Sequence, residues 1–134
     1  MTSDPLVLVV DDLPQNVRLL EAVLSPKGFR VATASSGEEA LDVLNKEHPD
    51  VVLLDILMPG MDGFEVVEAL RADPDTKSVP VVILTSKSMT QQDKERLRGR
   101  ITYVAQKAEF DLSGLAGLLR WAGTSRQSPA SEAG

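Results

Sequence analysis

Five short apolar runs recur along this chain, and stretches with helical periodicity follow them. The runs are Leu6 to Val10, Phe29 to Ala34, Val51 to Leu54, Val79 to Leu84 and Ile101 to Ala105. Valine, leucine and isoleucine dominate them, and most do not alternate with polar residues. Strands of that kind are buried on both faces, as in parallel sheets. After the first run, Val17, Leu20, Val23 and Leu24 form a helical stripe, with Pro14 suited to the first turn. Ala40, Leu41 and Leu44 form a second, after the capping-box signature Ser36-Gly37-Glu38-Glu39. Phe64, Val67, Ala69 and Leu70 mark a third. Thr90 to Arg98 is mostly polar, with Leu97 its main apolar anchor, and gives the weakest helical signal. Leu112, Leu115, Leu118, Leu119 and Trp121 make the fifth, and Trp121 is expected in the core. Strand and helix alternate with short connections. That predicts an α/β fold, a doubly wound five-stranded parallel sheet with helices on both faces.

Composition removes many functions. At 134 residues the chain is long enough for one domain with an adequate core. It has no cysteine, which excludes disulfides, thiolate zinc sites and thiol catalysis. One histidine, His48, excludes a multi-histidine metal site, and its place before Pro49 at a helix end suits an exposed terminus. The net charge of -6 speaks against a nucleic-acid surface. No apolar run approaches the ~20 residues that span a bilayer, and Met1 to Pro5 lacks a signal-peptide layout. A cytoplasmic protein with no nucleic-acid or membrane partner is expected. Gly123 to Gly134 is Ser, Pro, Gly and Ala with few charges, so it is expected to be a disordered tail after a domain over residues 1–122.

In an open parallel sheet, function collects outside the carboxyl ends of the strands. The first run ends on Asp11-Asp12, the third on Asp55, the fourth on Thr85-Ser86 and the fifth on Lys107. Each alone has a plain reading. Asp12 or Asp55 could cap a helix, Thr85 could be a turn residue, Lys107 a solvated lysine, and Asp62 a turn or cap before the third helix. Their meeting at one sheet edge changes the reading. Three clustered carboxylates repel and call for a cation. An all-oxygen set suits Mg²⁺. A hydroxyl and an ammonium beside it suit a phosphoryl group, and an aspartate can itself be the nucleophile. The set reads as Mg²⁺-assisted phosphoryl transfer to a carboxylate.

The stretches Val9-Val10-Asp11-Asp12, Leu53 to Gly63, Ile83-Leu84-Thr85-Ser86 and Gln106-Lys107 resemble a receiver domain of two-component signalling, the response-regulator family. The likeness runs from about Leu6 to Trp121. It implies strand order 2-1-3-4-5. It implies that Asp55 accepts a phosphoryl group from a phosphohistidine on a sensor histidine kinase or phosphotransfer protein. Asp12 and Asp55 match carboxylate ligands of Mg²⁺, Asp11 the acid that holds the metal mostly through water, and the Leu57 carbonyl the remaining protein ligand. Thr85 matches the hydroxyl that turns to the phosphate, and Lys107 the lysine that pairs with it. Two positions depart from the pattern. Ala108 stands where many members have proline, so a trans bond is expected. Val104 stands where an aromatic switch usually lies, and alternation turns Tyr103 the other way.

The leading expectation is a stand-alone receiver that catalyses only its own phosphorylation and dephosphorylation and signals to a downstream protein. The alternative is a Mg²⁺-dependent phosphatase with an aspartate nucleophile, of the haloacid-dehalogenase type. That class carries Asp-x-Asp after its first strand, which Asp11-Asp12-Leu13 does not supply. A flavodoxin-like cofactor binder would need a Ser/Thr/Gly-rich loop where Asp11 to Gln15 is acidic.

Overall fold

The structure, a computed structural model, describes residues 4–107 and 110–125. Strands β1 (Leu6–Val10), β2 (Arg30–Ala34), β3 (Val51–Leu54), β4 (Val81–Thr85) and β5 (Tyr103–Gln106) form one parallel sheet in the order β2-β1-β3-β4-β5. Helices α1 (Pro14–Leu24), α2 (Gly37–Glu47), α3 (Gly63–Ala72), α4 (Gln91–Leu97) and α5 (Leu115–Ser125) connect or follow them. The expected fold and strand order are thus those of the protein. β1, β3 and β4 are buried at every residue, whereas the edge strands β2 and β5 are partly exposed. Alternate side chains feed two cores. Val10, Leu54 and Ile83 pack with Leu44, Phe64, Leu70 and Leu97 on the α2–α3–α4 side. Val9, Leu53 and Val82 pack with Leu20, Leu24, Leu115 and Leu119 on the α1–α5 side.

Boundaries differ from the sequence reading where local chemistry intervenes. β4 starts at Val81 rather than Val79, because the Val79 amide closes a turn on the Thr76 carbonyl and Pro80 has no amide to give. Phe29 is buried, but its amide reaches back to the Leu24 carbonyl, so it belongs to the turn before β2. β5 is shifted to Tyr103–Gln106. Trp121 is not core: it is 53% exposed. The buried positions of α5 are Leu115, Ala116, Leu119 and Ala122, and that stripe leaves residue 121 on the outer side of the helix. α5 runs to Ser125, through the first three residues of the stretch expected as a tail. Residues 126–134 and the bond from Lys107 to Ala108 lie outside the described residues.

The caps explain where helices begin. Ser36 caps α2 by accepting from the Glu39 amide at 3.1 Å. The Glu39 carboxylate does not close the box on Ser36. It reaches Ser35 instead, amide at 2.7 Å and hydroxyl at 2.8 Å, and those bonds hold it below the usual carboxylate range. Complete boxes occur at α3, between Asp62 and Glu65, and at α4, between Thr90 and Asp93. His48 is exposed at the end of α2, in the left-handed region at φ 52°.

At the far end of the sheet from the strand carboxyl ends, Arg71 ties α3 to two loops. Its guanidinium donates to the carbonyls of Arg100 (2.7 Å), Val79 (2.8 Å) and Lys77 (3.0 Å). Burial there pulls its pKa down from the ordinary arginine value. Arg96 of α4 packs over the Phe64 ring at 4.5 Å and pairs with Glu68 at 3.2 Å.

Candidate functional site

The sheet order reverses direction between β1 and β3, and the residues just beyond those strands carry the site. Asp11 and Asp55 are held by bonds that continue the ladder. The Asp11 amide donates to the Ala34 carbonyl at 3.1 Å, and the Asp55 amide to the Val10 carbonyl at 3.0 Å. Both carboxylates are almost wholly buried, and Asp12 is half-buried. Asp11, Asp12 and Asp55 each offer a carboxylate oxygen, all within 4.8 Å of one another. Lys107 brings its ammonium to 3.1 Å from Asp11 Oδ2 and 3.6 Å from Asp55 Oδ2.

Each buried carboxylate is also oriented by its own chain. Asp11 Oδ1 accepts from the Leu13 amide at 3.0 Å, and its Oδ2 accepts from the Asn16 side-chain amide at 3.2 Å. Neither Asp11 nor Asp12 is the N-cap of α1. That position is Leu13, without a side-chain cap, so the Asp11 carboxylate supplies the acceptor that the helix start lacks. Asp55 Oδ1 accepts from the Leu57 amide at 3.1 Å. Asp62 is the cap of α3, as its plain reading expects. Gly63 opens α3 hard against the acceptor loop. A Cβ there would lie 2.6 Å from the Asp55 carbonyl oxygen and 2.7 Å from Ile56 Cα.

Thr85 ends β4, fully buried, and its Oγ1 accepts from the Lys87 amide at 3.2 Å. Lys87 is a junction. Its carbonyl accepts from the Gln106 side chain at 2.6 Å, and its ammonium pairs with Asp93 at 2.7 Å. That pairing and the Thr90 amide hold the Asp93 carboxyl down at about 2. So one residue joins the Thr85 hydroxyl, the cap of α4 and the residue before Lys107. Nothing in the spacing of Lys87 marks it. Asn16 escaped for a similar reason, since a side-chain amide five residues past an aspartate has many uses.

Val104 packs toward the α4-side core, while Tyr103 is 45% exposed. The pairing runs Val82–Tyr103, Ile83–Val104, Leu84–Ala105, Thr85–Gln106, with no bulge to shift it.

The donor set fits a divalent cation. Three carboxylate oxygens against one ammonium leave local negative charge, and hard oxygen ligands match Mg²⁺.

Known proteins are similar to this chain. Residues 7–115 match the family model of the response regulator receiver domain. The response regulator PleD of Caulobacter vibrioides is 50% identical over 80 residues, which are 60% of this chain and 18% of PleD. The chain thus spans less than a fifth of that relative. Protein PilH of Pseudomonas aeruginosa is 37% identical over 94 residues, covering 70% of this chain and 75% of PilH. The chemotaxis protein CheY4 of Vibrio cholerae superposes with a TM-score of 0.81 at 30% identity, over 90% of this chain and 99% of that one. With the sheet order and the aspartates at its switch point, these matches establish that the chain belongs to the response regulator receiver domain family, whose general function is phosphorylation on an aspartate.

Proposed function

We propose that Asp55 accepts a phosphoryl group from a phosphohistidine of a sensor histidine kinase or phosphotransfer protein. The observation that carries this is the meeting of Asp11, Asp12, Asp55 and Lys107 at the carboxyl edge of β1 and β3. In this reading the Leu57 amide pins Asp55 Oδ1, and the other oxygen, on the Lys107 side, attacks phosphorus. A P–O bond forms, the P–N bond breaks, and the imidazole nitrogen leaves. Asp11, Asp12, Asp55 and the Leu57 carbonyl would hold Mg²⁺, which when bound neutralises phosphoryl charge. Lys107 pairs with a phosphoryl oxygen, and the Thr85 hydroxyl donates to another.

The signal leaves as a change in protein interaction. Val104 offers no ring to flip, so the movable element in this reading is the loop from Lys87 to Thr90 with the polar α4. Thr85 is bonded to Lys87, and Lys87 to both Asp93 and Gln106. Turning the Thr85 hydroxyl toward a phosphoryl group therefore strains that junction.

The test is intact mass after incubation with acetyl phosphate and Mg²⁺. Wild type should gain one phosphoryl group and Asp55→Asn none. Equal gain by both would refute the assignment. Sustained phosphate release from a panel of monoesters would point to a phosphatase.

A further inference from the structure

We propose that Asn16 is a positioning residue for phosphorylation, holding Asp11 in place when Lys107 turns to the phosphoryl group. The proposal rests on the assignment of Asp55 as acceptor. Asp11 is 2% exposed, and its Oδ2 has two donors, Lys107 Nζ at 3.1 Å and Asn16 Nδ2 at 3.2 Å. Its Oδ1 is engaged by the Leu13 amide at 3.0 Å. Lys107 lies nearer Asp11 than Asp55, whose Oδ2 is 3.6 Å away. To pair with a phosphoryl oxygen on Asp55, the ammonium must share or give up Asp11. A buried carboxylate oxygen stripped of its donor is costly. Asn16 is the donor that stays.

The position of Asn16 in the chain suits that task. It lies in the first turn of α1, which opens on Pro14 and has no side-chain cap of its own. The Leu13 amide and the Asn16 side chain together fasten the helix start to Asp11. The anchor is neutral. An amide adds no charge that would compete with a cation at the three carboxylates, and it cannot itself leave for the phosphoryl group. In this arrangement Asn16 lowers the cost of moving Lys107 without touching phosphorus.

The consequence is a split between two ligands. Removing the Asn16 donor raises the energy of the state in which Lys107 has moved, more than that of the resting state. Binding of the phosphoryl mimic beryllofluoride, followed by fluorine NMR at saturating Mg²⁺, should weaken about tenfold in Asn16→Leu. Half-saturation by Mg²⁺ alone should be unchanged or tighter, because Asp11 keeps its full charge for the metal. Asn16→Gln should recover part of the loss, and Asn16→Ala should repeat it if the leucine variant folds poorly. In a Lys107→Ala background Asp11 has the same remaining donor in both states, so Asn16→Leu should make no further difference. In wild type the Asn16 side-chain amide proton should move downfield on adding beryllofluoride, as its bond to Asp11 shortens. Equal loss in both backgrounds, or no loss in either, overturns the proposal. Wild type that binds no beryllofluoride, or Asp55→Asn that binds it as well, overturns the acceptor assignment, and this proposal with it.

Discussion

Gly63 gives the most direct test of how packing sets the site. In Gly63→Ala a single methyl is added where α3 meets the acceptor loop. Its carbon would stand 2.6 Å from the Asp55 carbonyl oxygen, 2.7 Å from Ile56 Cα and 2.9 Å from Ile56 Cδ1. That is roughly 0.8 Å short of ordinary contact, and two of the three neighbours are backbone that cannot rotate away. Overpacking of this kind costs about 1–3 kcal/mol. For the roughly 120 described residues the unfolding entropy is about 0.25 kcal/mol per degree. The melting temperature should therefore fall by about 4–12 °C. The loop that yields carries Asp55 and Leu57, so the rise in melting temperature on adding Mg²⁺ should shrink as well. Gly117→Ala is the control. It lies in α5 with nothing within 4 Å of an added Cβ, and should be neutral or raise stability by up to about 1 kcal/mol. Calorimetry of the three proteins with and without Mg²⁺ decides the matter. If Gly63→Ala melts and responds to Mg²⁺ as wild type does, the close approach does not constrain the site.

Asp12→Ala should blunt stabilisation by Mg²⁺ and, without metal, melt at or above wild type because one repelling charge is gone; an equal Mg²⁺ response in both proteins would remove Asp12 from the metal site. The Asp93 carboxyl, held at about 2 in the fold against an ordinary 3.8, contributes stability that is complete above pH 4 and is lost as pH falls toward 2. Asp93→Asn should flatten the acid limb of the stability curve in that window, and an unchanged limb in urea titrations would contradict it. Hydrogen exchange with and without beryllofluoride should change most between Thr85 and Arg98, and Tyr103→Leu should keep that change. Its loss in Tyr103→Leu would make the tyrosine the switch.

The sheet was legible because its central strands β1, β3 and β4 are too apolar to be anything but buried. The acidic edge was legible because Asp11, Asp12, Asp55, Thr85 and Lys107 each sit at or just past the carboxyl end of a strand, so naming the strands placed the residues. What stayed hidden depends on side-chain reach. Trp121 looks like core by its apolar surface, yet α5 buries the stripe through Leu115, Leu119 and Ala122 and turns the indole away from it. Glu39 has the spacing of a capping box, but the Ser35 amide and hydroxyl offered its carboxylate two bonds instead of one. Lys87 and Asn16 carry no spacing signal, because a lysine six residues before an aspartate, or an amide five residues after one, has many uses.

The two ends of α4 are fastened by forces of different kinds. Its carboxyl end is gripped by packing and by hydrogen bonding: buried Leu97, Arg96 over Phe64, and the Arg71 guanidinium donating to the Arg100 carbonyl just beyond. Its amino end is tied back to the site through the partly buried ion pair of Lys87 and Asp93. A rod fixed hard at one end and softly at the other is a lever. Seven residues make it about 10 Å long, so a swing of roughly 10° carries the Gln91 end about 2 Å while the Leu97 end barely stirs. A partly buried ion pair weakens less with salt than an exposed one but still weakens, so the stiffness of this lever is set partly by the solution around it.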